Sequence, residues 1–327
     1  MFLIFAVLSP LFSYASNESI LEQIKKGAVQ SASSSLVVIQ NNRTVFSYFK
    51  DGSDHVQNIQ SVSKSITALG IEILLDQSKI SSLDLPMSTW IPQWSYDLQK
   101  SKITLRMILN HTAGFSGDHQ TCYSGKILDV IANCETMDLV ATPGIQFIYS
   151  SSGSTLLQSV IAQASGQTVT DFFNRNLFLP LGIGSKTWIK DPSGHELVAG
   201  GLRLNTSDMI IIGQLILNRG SLNGKRILSQ SAANDLMTKS QPFADYGLLW
   251  WLEQPGAGPK LNSNPSQPKI FYAYGYGGQF IIIWPEKNLI IVRTRDPKTL
   301  VVNPLTTQQE WDTEQFYSLL TLASEWN

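Results

Sequence analysis

Two stretches of the chain alternate in the manner of hairpins. Leu36 to Phe49 carries β-branched and aromatic residues around a turn at Asn41-Asn42. Phe280 to Trp284 and Leu289 to Thr294 form two short apolar runs around Pro285-Glu286-Lys287-Asn288, a second hairpin. Between them the period changes. Val62, Ile66, Leu69 and Ile73 recur at helical spacing over 62–75, and 103–109 and 155–164 also read as helical. Asp208 to Leu217 is strongly apolar; Thr206, Ser207 or Asp208 is placed to cap it, and Gly220 follows its end. Gln254 to Pro268 has loop composition, and Gln308 to Trp326 reads as a closing amphipathic helix.

Strands therefore lie towards both ends with a long, mostly helical middle. The expected fold class is α+β. An antiparallel sheet is built from the N- and C-terminal strands and flanked by helices, and a mostly helical subdomain is inserted. No linker splits the chain, so one domain is expected over 16–327. Its sheet part spans about 16–60 and 210–327, and its helical part about 61–209.

Residues Phe2 to Phe12 form an apolar run followed by Ser13-Tyr14-Ala15, a small-x-small sequence. The run is shorter than the roughly 20 residues that cross a bilayer. It reads as an export signal over 1–15, with a buried first strand or an uncleaved anchor as the alternative. Export would place the protein in the periplasm or outside the cell, without stable membrane insertion. There Cys122 and Cys134 would pair as a disulfide closing a loop worth about 3 kcal/mol, two free thiols being the other possibility.

Composition narrows the function classes. Hydrophobic residues make up 43% of the 327 positions and charged ones 15%, which excludes a disordered chain. The 24 Lys and Arg nearly balance 25 Asp and Glu, so no basic field invites nucleic acid. The expected partner is a small molecule.

Several chemical motifs are absent. There is no Gly-x-Ser-x-Gly elbow, no His-Glu-x-x-His and no paired-cysteine zinc pattern. Gly184-Ser185-Lys186-Thr187 resembles the end of a P-loop, but Ser185 interrupts the required Gly-Lys pair. Ser-x-x-Lys, in contrast, occurs three times, at Ser47/Lys50, Ser61/Lys64 and Ser266/Lys269. On a helix, residues three apart share a face, so a lysine can take the serine's proton. Ser47 lies in a strand pattern and Ser266 in a Pro-rich loop. Only Ser61 opens an apolar-periodic helix, where free N–H groups and the dipole favour developing negative charge.

The segment Gln60-Ser61-Val62-Ser63-Lys64-Ser65-Ile66-Thr67 resembles the nucleophile motif of serine β-lactamases and penicillin-binding proteins. Leu109-Asn110-His111-Thr112-Ala113-Gly114-Phe115 resembles a structural segment of their class C-like branch, which gives His111 a structural place. Thr142-Pro143-Gly144, then Phe147-Ile148-Tyr149-Ser150-Ser151-Ser152-Gly153, resembles the second motif and its lead-in. Gly200-Gly201-Leu202-Arg203 followed by Thr206-Ser207-Asp208-Met209 is similar to another recurring segment. Gly275-Tyr276-Gly277-Gly278-Gln279 resembles the third-motif region. The pieces occur in family order over roughly 30–325. They resemble the β-lactamase-related serine hydrolases, which include class C β-lactamases, D-alanyl-D-alanine peptidases, certain esterases and 6-aminohexanoate-dimer hydrolases. The Gly-x-Gly-Gly-Gln form leans towards the last group.

The resemblance implies a cofactor-free, metal-independent acyl transfer. Ser61 attacks a carbonyl, and Lys64 and Tyr149 move protons, with either as the principal base. A free lysine titrates near about 10.4, so Lys64 needs burial or a nearby cation to lower its pKa. The oxyanion donors would be the backbone N–H groups of Ser61 and Tyr276, and substrate would lie along Gly275 and Ser151. Where β-lactamases and peptidases place a cation and a hydroxyl before the third-motif glycine, this chain has Ala273-Tyr274. Arg293 or Arg295 could replace that cation, although their pattern suggests surface or sheet-edge charges. Ser151 stands where many relatives have Asn. These departures favour an esterase or amidase over a β-lactamase or D-alanyl-D-alanine peptidase. A non-hydrolytic penicillin-binding or sensor protein is the alternative from another class.

Overall fold

The computed structural model describes residues 9–117, 125–238, 240, 242–243, 245–252 and 270–296, with side chains from residue 19 onward. The chain opens with helix α1 (Ser9–Gln30) and strands β1 (Ser35–Gln40) and β2 (Arg43–Phe49). A two-residue strand β3 (Gln57–Asn58) leads into α2 (Val62–Asp76). Then come short helices: α3 (Leu105–Leu109), α4 (Val130–Thr136), α5 (Ser151–Thr155), α6 (Leu157–Ser165) and α7 (Val169–Phe173). Strand β4 (Arg203–Leu204) pairs back with β3. Helix α8 (Thr206–Leu217), the small hairpin β5 (Ser221–Leu222) and β6 (Lys225–Arg226), and α9 (Gln230–Asp235) follow. The chain returns to the sheet with β7 (Tyr246–Gly247), β8 (Trp250–Trp251), β9 (Phe271–Gly275), β10 (Gln279–Trp284) and β11 (Leu289–Thr294).

Both expected hairpins are present. Asn41 and Asn42 take left-handed φ of 49° and 61°, the two-residue turn whose twist suits a hairpin and which asparagine tolerates. The main sheet has the order β2-β1-β11-β10-β9-β8-β7, and β1 pairs antiparallel with β11, Val37 facing Val292. Strands from the two ends of the chain thus meet in one antiparallel sheet, as the sequence pattern predicts.

The central strands are covered on both faces. On one side Ile20, Ile24 and Ala28, a stripe at four-residue spacing on α1, pack against Leu36, Val38, Ile282 and Ile291. On the other, α2, α6 and α8 join Val37, Ile281, Ile290 and Val292 in the larger core. Burial on both faces is why β10 and β11 read as unbroken apolar runs rather than alternating ones.

Helix α2 runs through the middle, every residue from Val62 to Leu74 buried. Its turns carry Ser63, Lys64, Ser65 and Thr67, polar groups that an enclosed helix must satisfy locally. Helix α8 is capped by Asn205, with Asp208 closing a capping box, rather than by Thr206, Ser207 or Asp208. Asp54 also accepts from the Thr206 and Ser207 amides, both at 2.9 Å.

The expected cleavage point after Ala15 falls inside α1, whose backbone is helical from Ser9. Cys134 is buried on α4, whereas Cys122, the loop over 254–268 and the closing helix over 308–326 lie outside the described residues. No helix among the described residues is long and apolar enough to cross a membrane.

Candidate active site

Strand pairing places Ser61. Asn58 sits opposite Arg203, the Ile59 amide donates to the Leu202 carbonyl at 3.1 Å, and the chain then turns sharply. Gln60 makes that turn at φ 53°, its amide held by Asn58 Oδ1 at 2.8 Å. A non-glycine residue there stores strain, and such strain gathers where geometry is imposed. Ser61 follows as the residue before α2, with φ −66°, and its hydroxyl does not cap the helix. The hydroxyl is instead contacted by Lys64 Nζ at 3.0 Å.

Lys64 is 1% exposed. Its nitrogen donates to the Ala199 carbonyl at 2.7 Å and lies 5.1 Å from the centre of the Tyr149 ring. The loop carrying Ala199 is fastened to α2 on both sides of that contact. Thr67 Oγ1 donates to the Val198 carbonyl at 3.0 Å, and Ser63 Oγ accepts from the Leu202 amide at 3.1 Å. Ser65 Oγ donates to the Leu249 carbonyl at 2.6 Å on the opposite flank. The run of small polar residues around Lys64 thus ties α2 to its surrounding loops.

Tyr149 is brought in by the segment containing His111. The His111 carbonyl accepts from the Ile148 amide at 2.8 Å, and its Nδ1 accepts from the Ser150 amide at 3.1 Å. The Thr112 carbonyl accepts from Gly144 at 2.7 Å and the Gly114 carbonyl from Val140 at 2.8 Å. Gly114 has φ 87°, and a Cβ there would lie 2.1 Å from the Ala141 carbonyl, so only glycine fits. The imidazole of His111 packs 4.4 Å from the Tyr149 ring, centre to centre. Its observed contacts orient Tyr149.

The Tyr149 phenol hydrogen-bonds Ser61. Burial raises its pKa well above the usual value; the Ser61 bond pulls the other way and the neighbouring Tyr274 adds to the rise. The hydroxyl therefore stays protonated at neutral pH. Tyr149 stacks on the half-buried Trp251 at 6.1 Å and 18°, and Phe147 stacks on Phe243 at 4.4 Å. These rings form an aromatic wall beside Ser61.

Strand β9 reaches the same point. A Cβ on Gly275 would sit 2.5 Å from the Ile59 carbonyl and 3.1 Å from Gln60 Cβ, so only glycine lets this strand end press against the turn that precedes Ser61. Tyr276 comes next and is 39% exposed. Outside helices and strands, neither the Ser61 nor the Tyr276 amide takes part in any backbone hydrogen bond among the described residues. Ser151 is the first residue of α5 and is 2% exposed.

Two sequence readings need correction. Arg293 and Arg295 are not surface or sheet-edge charges. Arg293 is fully buried and donates to the carbonyls of Ser31, Gly277 and Gly278 and to Ser33 Oγ. Arg295 is 2% exposed, and its backbone is bonded in both directions by the Gln279 side chain. The Ala199 carbonyl was also not foreseen, because nothing local marks a backbone acceptor.

Among the described residues, Asp129, Asp191 and His195 form the group best placed to hold a metal ion. Their donors are already engaged. The oxygens of Asp191 accept from the Val130 and His195 amides, and Asp129 caps α4 through the Ala132 amide. The group ties α4 to the loop that leads to Ala199. A separate cleft of about 820 Å³ is lined in part by Lys50, Asn58, Gln60 and Arg203, and by none of Ser61, Lys64 and Tyr149.

A buried lysine thus contacts a helix-opening serine, with a tyrosine from a second loop and a glycine strand end beside it. The profile of the Beta-lactamase family matches residues 20–299, and the chain belongs to that family. The D-alanyl-D-alanine-carboxypeptidase/endopeptidase AmpH of Escherichia coli is 26% identical over 313 residues, covering 82% of this chain and 80% of its own. Penicillin-binding protein 4* of Bacillus subtilis is 32% identical over 135 residues, 38% of this chain and only 29% of its own length. Among solved structures, a putative β-lactamase from Bacteroides dorei superposes with TM-score 0.74 at 18% identity, covering 94% of this chain and 97% of its own. A putative 6-aminohexanoate-dimer hydrolase from Bacillus anthracis gives TM-score 0.74 at 18% identity, over 92% and 80%.

Proposed function

We propose that this member of the family is an exported serine hydrolase that cleaves an ester or amide through an acyl-enzyme on Ser61. The observation that carries this is the 3.0 Å contact between Ser61 Oγ and a lysine that is 1% exposed. The distance is within reach for general-base proton transfer. Lys64 takes the Ser61 proton as Oγ attacks. The neutral Tyr149 phenol, bonded to Ser61, passes its proton to the leaving group and recovers one from the Lys64 ammonium, so both groups return to their starting forms. A phenol held protonated by burial favours Lys64 over tyrosinate as the base. Charge on the carbonyl oxygen is met by the Ser61 and Tyr276 amides, with substrate laid along Gly275. Ser151 contributes to the same pocket from the start of α5. Water then repeats the sequence on the acyl-enzyme.

The substrate assignment rests on Ala273-Tyr274, which carries no cation, and on Arg293, whose guanidinium is spent on the Gly277–Gly278 turn and the Ser31–Ser33 segment. An anionic β-lactam therefore lacks the usual partner on this strand. The names of the relatives keep a β-lactamase or D-alanyl-D-alanine peptidase as the second reading. Turnover of p-nitrophenyl esters and anilides, of nitrocefin and of a D-alanyl-D-alanine peptide separates the readings, with Ser61→Ala as control. Ester or anilide turnover lost in that variant supports the proposal. Nitrocefin or peptide turnover alone selects the second reading. A penicillin adduct that persists without any turnover means a sensor.

A further inference from the structure

Arg293 is out of character in this core: a guanidinium with no exposure on β11, following Ile290, Ile291 and Val292. Removing such a charge from water is expensive unless its donors are met. They are met by four acceptors. Nε donates to Ser33 Oγ at 2.7 Å, Nη2 to the Ser31 carbonyl at 2.9 Å, and Nη1 to the Gly277 and Gly278 carbonyls at 3.2 and 2.7 Å. Packing alone would be served by another β-branched residue, so the acceptors show what the charge does.

Gly277 and Gly278 form the turn between β9 and β10, both left-handed at φ 82° and 80°. Without side chains they cannot fix their own position by packing. The residue before them is Tyr276. On its other side Gly275 is already pressed against Ile59. The peptide that carries the Tyr276 amide is tied to that turn, because its Gly275 carbonyl accepts from the Gly278 amide at 3.0 Å, and Arg293 holds both carbonyls of the turn. The other half of the guanidinium grips Ser31 and Ser33, between α1 and β1. Gln279 fixes the next position through the Arg295 backbone.

We propose that Arg293 is a positioning residue for acyl transfer, fixing the Tyr276 amide through the Gly277–Gly278 turn and anchoring it to the Ser31–Ser33 segment. This rests on the reading above that the Tyr276 amide faces the developing oxyanion. A donor placed for the tetrahedral state acts on kcat more than on KM. A displacement near 1 Å can cost about 10²-fold in rate.

The test compares Arg293→Met, Arg293→Lys, Ser33→Ala and Tyr276→Pro with the wild type on p-nitrophenyl butyrate, alongside thermal melting and inhibition by a phenylboronic acid. Tyr276→Pro deletes the amide proton and should cost about 10²–10³-fold in kcat. Arg293→Met should cost about 10²-fold in kcat and weaken the boronate by a similar factor, with KM within about threefold. Arg293→Lys should fall between it and wild type. If Tyr276→Pro keeps full kcat, the assignment of the oxyanion donor fails. If Tyr276→Pro loses activity while folded Arg293→Met keeps kcat and boronate affinity, the Arg293 proposal alone is overturned. Should Arg293→Met not fold, Ser33→Ala decides, since it removes one acceptor. A lower kcat at unchanged melting temperature supports the proposal, and wild-type kcat overturns it.

Discussion

Lys64 Nζ donates to the Ala199 carbonyl at 2.7 Å, across 135 residues of sequence. The amine that touches Ser61 Oγ is thus aimed by a loop outside its own helix. Replacing Lys64 by Met should lower kcat by about 10²–10⁴-fold, the usual scale of a general base. Thr67→Val removes the neighbouring bond to Val198 and should lower kcat several-fold without unfolding the chain. Steady-state kinetics on an activated ester check both. Equal rates in Lys64→Met and wild type would remove lysine from the mechanism.

Tyr149→Phe keeps the ring on which Trp251 stacks and deletes only the hydroxyl. The fold should persist and kcat should fall by about 10²–10⁴-fold. Because burial holds this phenol protonated, the wild-type pH–rate profile should show no rise between pH 8 and 10 that the variant lacks. Such a rise would make tyrosinate the base.

Gly275→Ala should abolish turnover while leaving most of the sheet intact. The added Cβ meets the Ile59 carbonyl at 2.5 Å, so either β9 or the Gln60 turn must shift, and Ser61 shifts with the turn. Loss of kcat with retained far-ultraviolet circular dichroism is expected; unchanged kcat would separate the strand end from the nucleophile.

Glu72 links stability to pH. It is 2% exposed on α2, and Oε1 has no hydrogen-bond partner among the described residues. Burial, then the charges of Asp235 and Asp76, push its pKa up to about 8, while Arg106 opposes them. The ordinary value is 4.5. Between these values the folded protein keeps a proton that the unfolded chain has lost. Its contribution is therefore full below about pH 4.5 and lost as pH passes about 8. Melting curves from pH 5 to 9 should show Glu72→Gln gaining on wild type as pH rises. Parallel curves would contradict this.

The sequence makes the nucleophile's surroundings legible where the information is local. Ser61 and Lys64 lie three apart on a helix whose spacing is plain, and the Asn41-Asn42 turn announces its hairpin. Long-range choices are hidden. Thr206, Ser207 and Asp208 read as caps of α8, but geometry selects Asn205, and the Thr206 amide donates to Asp54, 152 positions away. Arg293 and Arg295 read as edge charges because only the strand order reveals that β11 is central and covered on both faces. The early helix α1 was missed, since its stripe of Ile20, Ile24 and Ala28 is short and acquires meaning only against the sheet.

Whether Ser61 is an activated nucleophile is decided by intact-protein mass spectrometry after exposure to a fluorophosphonate. One adduct is expected on the wild type, mapped to Ser61 and absent from a folded Ser61→Ala. A well-folded wild type that takes up no reagent, or a Ser61→Ala variant that is labelled equally, would contradict it.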